Sequence, residues 1–289
     1  MIGFVAGFTA VFIYAALFVA ARLGIADGLD GFDQTAIRFG SSLILIAPMI
    51  LRNGGEALAR LGWARLAAVT VLGGAPYSVV FLSGLQFAPV SYGAAIVPGV
   101  QPLTVLILSV WAFSETPSRW TVIGSLVCLT GLIAMILDQA TTPSLGILFG
   151  VAVFLLAAVM WGGYAVAVRK WQVKPTDMLV ASLPLSAVCY LPIYFAVSGE
   201  RIFAARLETL LIQVIVQGVG VGLVASFLYA FAIQKIGSAK TSAMSPLIPT
   251  MATVMAFALL GEAPTPLQWT GVALVTASLL LRQASTFKR

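Results

Sequence analysis

The stretch from Ser91 to Ile136 constrains the fold more than any other, because it occurs twice. It reads as two apolar helices, Tyr92 to Phe113 and Trp120 to Ile136, joined by the short polar turn Ser114-Glu115-Thr116-Pro117-Ser118. Sliding the chain by 147 positions lays Ser91 on Ser238, Pro102 on Pro249 and Glu115 on Glu262, and also Gly3 on Gly150, Tyr14 on Trp161 and Arg22 on Arg169. The pairs Trp120-Thr121 and Trp269-Thr270 match only at 149, so two residues entered the second turn, Ala263-Pro264-Thr265-Pro266-Leu267-Gln268. Duplicated halves accumulate short loop insertions of this kind. The chain is a tandem duplication, with one repeat expected over 1–138 and the other over 145–289.

Such halves cannot be water-soluble. Of the 289 residues 60% are hydrophobic and 9% charged, with a mean hydropathy of +1.04, more apolar surface than one globular core can hide. Ten spans are expected, near 3–21, 34–51, 66–87, 91–113, 120–137, 145–168, 177–197, 209–234, 239–260 and 267–281. Most approach the ~20 apolar residues that a helix needs to cross a bilayer. The runs are continuously apolar rather than alternating, which selects helices over a barrel. The first run lacks a basic leader and its repeat partner is internal, so it is read as a mature span and not a signal peptide. With both termini cytoplasmic, twelve of the sixteen Lys and Arg fall in inside loops. Arg22, Arg201 and Arg206 fall outside, and Arg38 lies within a span. That asymmetry sets the expected orientation. Five spans per repeat is an odd number, so the second half enters the membrane inverted.

The formal charge of +6 does not suggest nucleic acid, since the basic residues sit singly or in pairs between apolar runs. Cys128 and Cys189 lie in apolar segments without CxxC spacing and the chain has no His, so no metal site, cofactor or disulfide framework is expected. Both cysteines read as packing residues.

The motifs Ala36-Ile37-Arg38-Phe39 in the second span and Leu259-Leu260-Gly261-Glu262 at the end of the ninth, with a helix-turn-helix pair closing each half, point to a family. Over essentially its whole length the chain resembles the ten-helix EamA-type members of the drug/metabolite transporter superfamily. The resemblance implies a multi-pass carrier of the bacterial-type inner membrane, commonly an exporter of amino acids or other small metabolites. The first half departs from the pattern, with Phe113-Ser114-Glu115 where the second has Leu260-Gly261-Glu262.

The fourth span carries Pro98, Gln101 and Pro102, and the ninth Pro246 and Pro249. Proline inside a helix removes a hydrogen bond and kinks it. Matched breaks of this kind read as hinges on a transport path, the plain alternative being bends for packing. Gly73 and Gly74 in the third span and Gly218, Gly220 and Gly222 in the eighth read as close helix contacts. Tyr77 and Tyr229, well inside those spans, need partners for their hydroxyls, and a hydrated cavity supplies them. Tyr14 and Trp161 hold equivalent positions, with Tyr164 one turn from Trp161. These aromatics suit an apolar or amphipathic solute. Arg38 is read as a gating residue or a contact for an anionic group, unless it snorkels or pairs with Asp33. Glu115 and Glu262 are expected to lock their turns by accepting hydrogen bonds from the free N–H groups of the helix that follows.

No Asp, Glu or His falls centrally in an expected span. The first span lacks the acid found in the four-helix multidrug relatives of the superfamily, which favours a neutral or zwitterionic solute over proton-coupled cationic drug efflux. An intramembrane enzyme would want a nucleophile with a base, and the spans offer none. A membrane sensor or scaffold is the weaker reading, since no soluble portion to report a signal is expected. The expectation is an all-α membrane protein of ten helices in two inverted repeats. It is not an enzyme, its partners are lipid and a small-molecule substrate, and it works by alternating access at a midplane cavity.

Overall fold

The computed structural model describes residues 1–114, 118–141, 144–198, 200–236, 241 and 244–284. The Glu115 turn and the first residues of the expected ninth span lie outside them. The described residues are helical almost throughout: α1 (Ile2–Ala26), α2 (Gly31–Leu61), α3 (Trp63–Gly73), α4 (Ala75–Phe87), α5 (Val90–Phe113), α6 (Arg119–Thr141), α7 (Leu145–Lys170), α8 (175–198), α9 (Glu200–Ala204), α10 (207–236), α11 (Leu247–Leu260) and α12 (Pro266–Ala284). Polar side chains mark where apolar helices begin and end. Asp30 accepts hydrogen bonds from the Phe32 and Asp33 amides, while Asp33 accepts from the Asp30 amide, a reciprocal cap on α2. Ser144 caps α7 and Thr265 caps α12 through the Ile147 and Gln268 amides.

Eight stretches, from Ile2–Ala26 to Leu207–Tyr229, are long and apolar enough to cross a membrane. Leu247–Leu260 and Pro266–Leu281 are apolar but shorter. The expectation of ten is met in length by eight. The 14 residues of α11 reach only about 21 Å at 1.5 Å per residue.

The helices equated by the repeat pack against each other: α2 with α8, α5 with α11 and α6 with α12. The first helix of each half crosses over. α1 packs chiefly on α10 and α11, and α7 on α3, α4 and α5. Small residues set these crossings. A Cβ at Gly3 would stand 2.8 Å from Ile236 and Lys235 side-chain atoms, and one at the equivalent Gly150 would stand 2.8 Å from the Ala88 Cβ. Phe154, fully buried, wedges against Gly84 and Gly93.

Among the described residues the proline breaks are not matched, since the expected ninth span turns at 244–246, at Pro246, and the fourth has no such turn. α5 runs unbroken through Pro98 and Pro102, while Pro246 caps α11 and Pro249 lies in its first turn, where no amide needs an intrahelical partner. Beyond a short π-helical stretch, Met178–Ser182, near the start of α8, irregular backbone lies one span earlier in each half. The first interruption is at Gly74, between α3 and α4. The second is a π-helical stretch within α10, Val214–Ala225, centred on Gly220, the repeat equivalent of Gly73. Cys128 is buried against Gly99, whereas Cys189 is exposed rather than packed.

Candidate functional site

The break at Gly73 and Gly74 makes room for side chains of the other half. A Cβ at Gly73 would stand 2.5 Å from the Tyr164 ring, and the Ser186 hydroxyl of α8 accepts a hydrogen bond from the freed Ala75 amide at 3.2 Å. Tyr77, just beyond the break, lies against Trp161, with ring centroids 4.8 Å apart and planes 30° apart. Trp161 stacks on Tyr164 at 4.8 Å and 24°. Tyr77 also stacks on Phe81 at 5.9 Å, and Phe81 meets Phe18 edge to face at 5.3 Å. A continuous aromatic stack thus joins α1 and α4 of one repeat to α7 of the other.

Tyr14 packs into the same core and lies in electrostatic range of Tyr164 and Arg38. Gly162, beside Trp161, would direct a Cβ to 3.1 Å from the Gln101 carbonyl oxygen, so the Gln101 backbone flanks the stack. The structure therefore gathers Tyr14, Arg38, Tyr77, Trp161 and Tyr164, with Gln101 alongside. Tyr229 is not among them, because its hydroxyl lies 3.3 Å from that of Ser245, on the approach to α11.

Arg38 does not pair with Asp33. Five residues along a helix place two side chains on different faces, and the Asp33 carboxylate is engaged by the Tyr194 hydroxyl at 2.6 Å, the Asp30 amide and Arg201 at 3.4 Å. Arg201 also pairs with Asp30 at 2.7 Å. Partial desolvation of its guanidinium is outweighed by the Asp30 and Asp33 charges, which raise its pKa above the ordinary value.

Glu262 does not cap the helix that follows it, since Thr265 does that. Its carboxylate accepts a hydrogen bond from Arg22 at 2.7 Å and from the Val90 amide, at the start of α5, at 2.9 Å. Arg22 also donates to the Leu85 carbonyl. This clamp lines a cavity of about 180 Å³ together with Ser91, Thr253 and Gln268. At the opposite end of the bundle Arg60 of α2 pairs with Asp177 of α8, and the Arg169 guanidinium lies 4.5 Å from the centre of the Phe113 ring. Sequence reasoning missed one cluster, the fully buried amides of Gln34, Gln213 and Gln217. Gln34 donates to the Ala21 carbonyl at 2.9 Å, Gln213 to that of Ala20 at 2.6 Å, and Gln217 to Gln34 at 3.0 Å. The signal was two amides at i and i+4 inside an apolar run.

A helical, multi-pass bundle whose halves meet at an aromatic stack is the architecture of a membrane transporter with internal repeats. The sequence model of the EamA-like transporter family matches residues 1–137 and again 148–282, and the chain belongs to that family, within the drug/metabolite transporter superfamily. No curated protein matches the chain. A solved structure described only as "Crystal structure of protein" is similar over 99% of this chain and 97% of its own, at 21% identity and a TM-score of 0.61. That likeness concerns the fold.

Proposed function

We propose that the protein exports small amphipathic metabolites, amino acids or similar solutes, across a bacterial-type inner membrane by alternating access. The solute binds midway across the membrane between two inverted five-helix repeats, with both termini cytoplasmic. The observation that carries this reading is the stack of Tyr77 on Trp161 and Tyr164, which spans the two halves close to the interruption at Gly74. The inversion is supported by the meeting of Glu262, just past the end of α11, with Val90, at the start of the repeat-equivalent α5. Bending at the Gly74 interruption and the π-helical stretch opens each side in turn, so that neither half need unfold to release its solute.

The test is efflux of amino acids and amphipathic drugs from preloaded proteoliposomes, with and without a pH gradient. Trp161→Ala is expected to weaken solute binding by about 1–3 kcal/mol, the worth of a buried aromatic surface. Efflux and affinity equal to those of the unaltered protein would move the site elsewhere.

A further inference from the structure

Arg38 differs both from the exposed Arg52, Arg65 and Arg206 and from the arginines that hold a carboxylate. Arg22 has Glu262, Arg60 has Asp177, and Arg201 has Asp30 and Asp33. Arg38 lies seven residues into α2, about 10 Å along it, inside the stretch Gly31–Arg52 that crosses the membrane. Among the described residues it has no hydrogen-bond or ion-pair partner, and α2 packs against α4, which carries Tyr77, with Phe39, the residue after Arg38, in one buried cluster with Ala75. A cation within the hydrocarbon depth needs a counter-group, and membrane proteins that keep one there use it.

We infer that the solute is an organic monoanion, its carboxylate held by the Arg38 guanidinium and its flat apolar body laid against the rings of Tyr77, Trp161 and Tyr164. The inference rests on the transporter reading above and narrows its substrate. The guanidinium presents a planar fork of donors that matches the two carboxylate oxygens. Three buried or half-buried carboxylates sit near helix ends and turns and are engaged there: Asp33 with Arg201 and Tyr194, Asp138 with Thr265 and Gln268, Glu262 with Arg22. An ammonium group at the depth of Arg38 would meet a like charge in a medium of low dielectric. The site therefore prefers a monocarboxylate to the corresponding amino acid, and rejects the corresponding amine.

The test is calorimetry on the full chain in nanodiscs, with 3-phenylpropanoate, its isosteric carboxamide, phenylalanine and phenethylamine as one series. The acid is expected to bind at least about tenfold more tightly than the amide, the worth of a hydrogen-bonded charge. Phenylalanine should fall between them, and the amine should bind least. Arg38→Gln should abolish the preference for the acid over the amide, and Arg38→Lys should keep part of it. The comparison of ligands on the unaltered protein needs no variant to fold. Equal binding of acid, amide and amine, a preference that survives in Arg38→Gln, or binding of none of the series would overturn the inference. Weakening of acid and amide alike by Trp161→Ala keeps the transporter reading standing in the first two cases. If none binds, that reading is judged by the efflux assay alone.

Discussion

Two pairs of equivalent positions set the halves side by side. Ser114 ends α5 and Gly261 ends α11, and both take the left-handed conformation, at φ 54° and 68°. One backbone shape is thus kept although the residue changed. Gly73 and Gly220 reverse this, for the residue is the same and the backbone is not. The first lies at a sharp interruption filled by Tyr164, the second within a π-helical stretch that continues the helix. The difference teaches that the duplicated chain conserves its turns by geometry and specialises its spans by what packs into them. α7 and α8 bring a ring and a hydroxyl to the first break, while α2 brings Ser41 and Ser42 to the second, where Ser42 donates to the Gly218 carbonyl at 3.3 Å.

The largest expected effect separates the two irregular spans. Gly74→Ala drives a Cβ into the Thr70 carbonyl and the Ser186 hydroxyl and should cost about 1–3 kcal/mol in detergent unfolding followed by Trp fluorescence. Gly220→Ala meets the Ile215 carbonyl oxygen at 3.0 Å within a helix that gains from Ala, and should change stability by less than about 1 kcal/mol. Equal losses would show that the two glycines do the same job.

A second pair, Arg22 and Arg169, sharpens the contrast between the ends of the bundle. Arg22→Gln should lower the unfolding free energy by about 1.5–3 kcal/mol, because it removes a charged hydrogen bond from a partly buried carboxylate. Arg169 is exposed at the end of α7, and Arg169→Gln should cost under about 1 kcal/mol. The reverse order would place the stronger clamp at the Phe113 end.

The smallest effect concerns the turns. Ser114→Gly should stabilise the protein by about 1 kcal/mol and Gly261→Ser destabilise it by a similar amount, since only glycine takes the left-handed region without a steric cost. Chemical denaturation of the two variants in parallel decides this. A loss in Ser114→Gly would mean that the hydroxyl holds the turn.

The repeat was legible because apolar runs and their turns are local features. So was the equivalence of Tyr14 and Trp161, and both pack against the same hydrophobic core. Less legible was the direction in which a side chain points once the helix departs from its ideal period. Tyr229 follows the π-helical stretch, whose register turns fewer degrees per residue, and this carries it toward Ser245 rather than toward the stack. Prolines were visible, yet whether a proline kinks depends on where its helix starts, and α11 starts at Pro249's own turn. The depth of Arg38 could be counted from the sequence. Its company could not, because Tyr14 and Tyr77 come from other helices. Glu262 is legible as a turn residue, but its partners lie in α1 and at the start of α5 and not in the helix that follows it.

The crossing of the first helices has a consequence in time. Arg22 and Glu262 are separated by 240 residues, and Gln213 closes on Ala20 across 193. At 5–20 residues per second, α1 waits on the order of ten seconds or more between leaving the ribosome and meeting the helices that bury it. During that interval its small-residue face, with Gly3, Gly7 and Ala10, is covered by lipid or by whatever insertion machinery holds nascent spans together. The two halves are therefore not independent products of synthesis. The first cannot finish folding until the second is nearly made, and a chain cut short before α10 leaves its opening helix without its main partners.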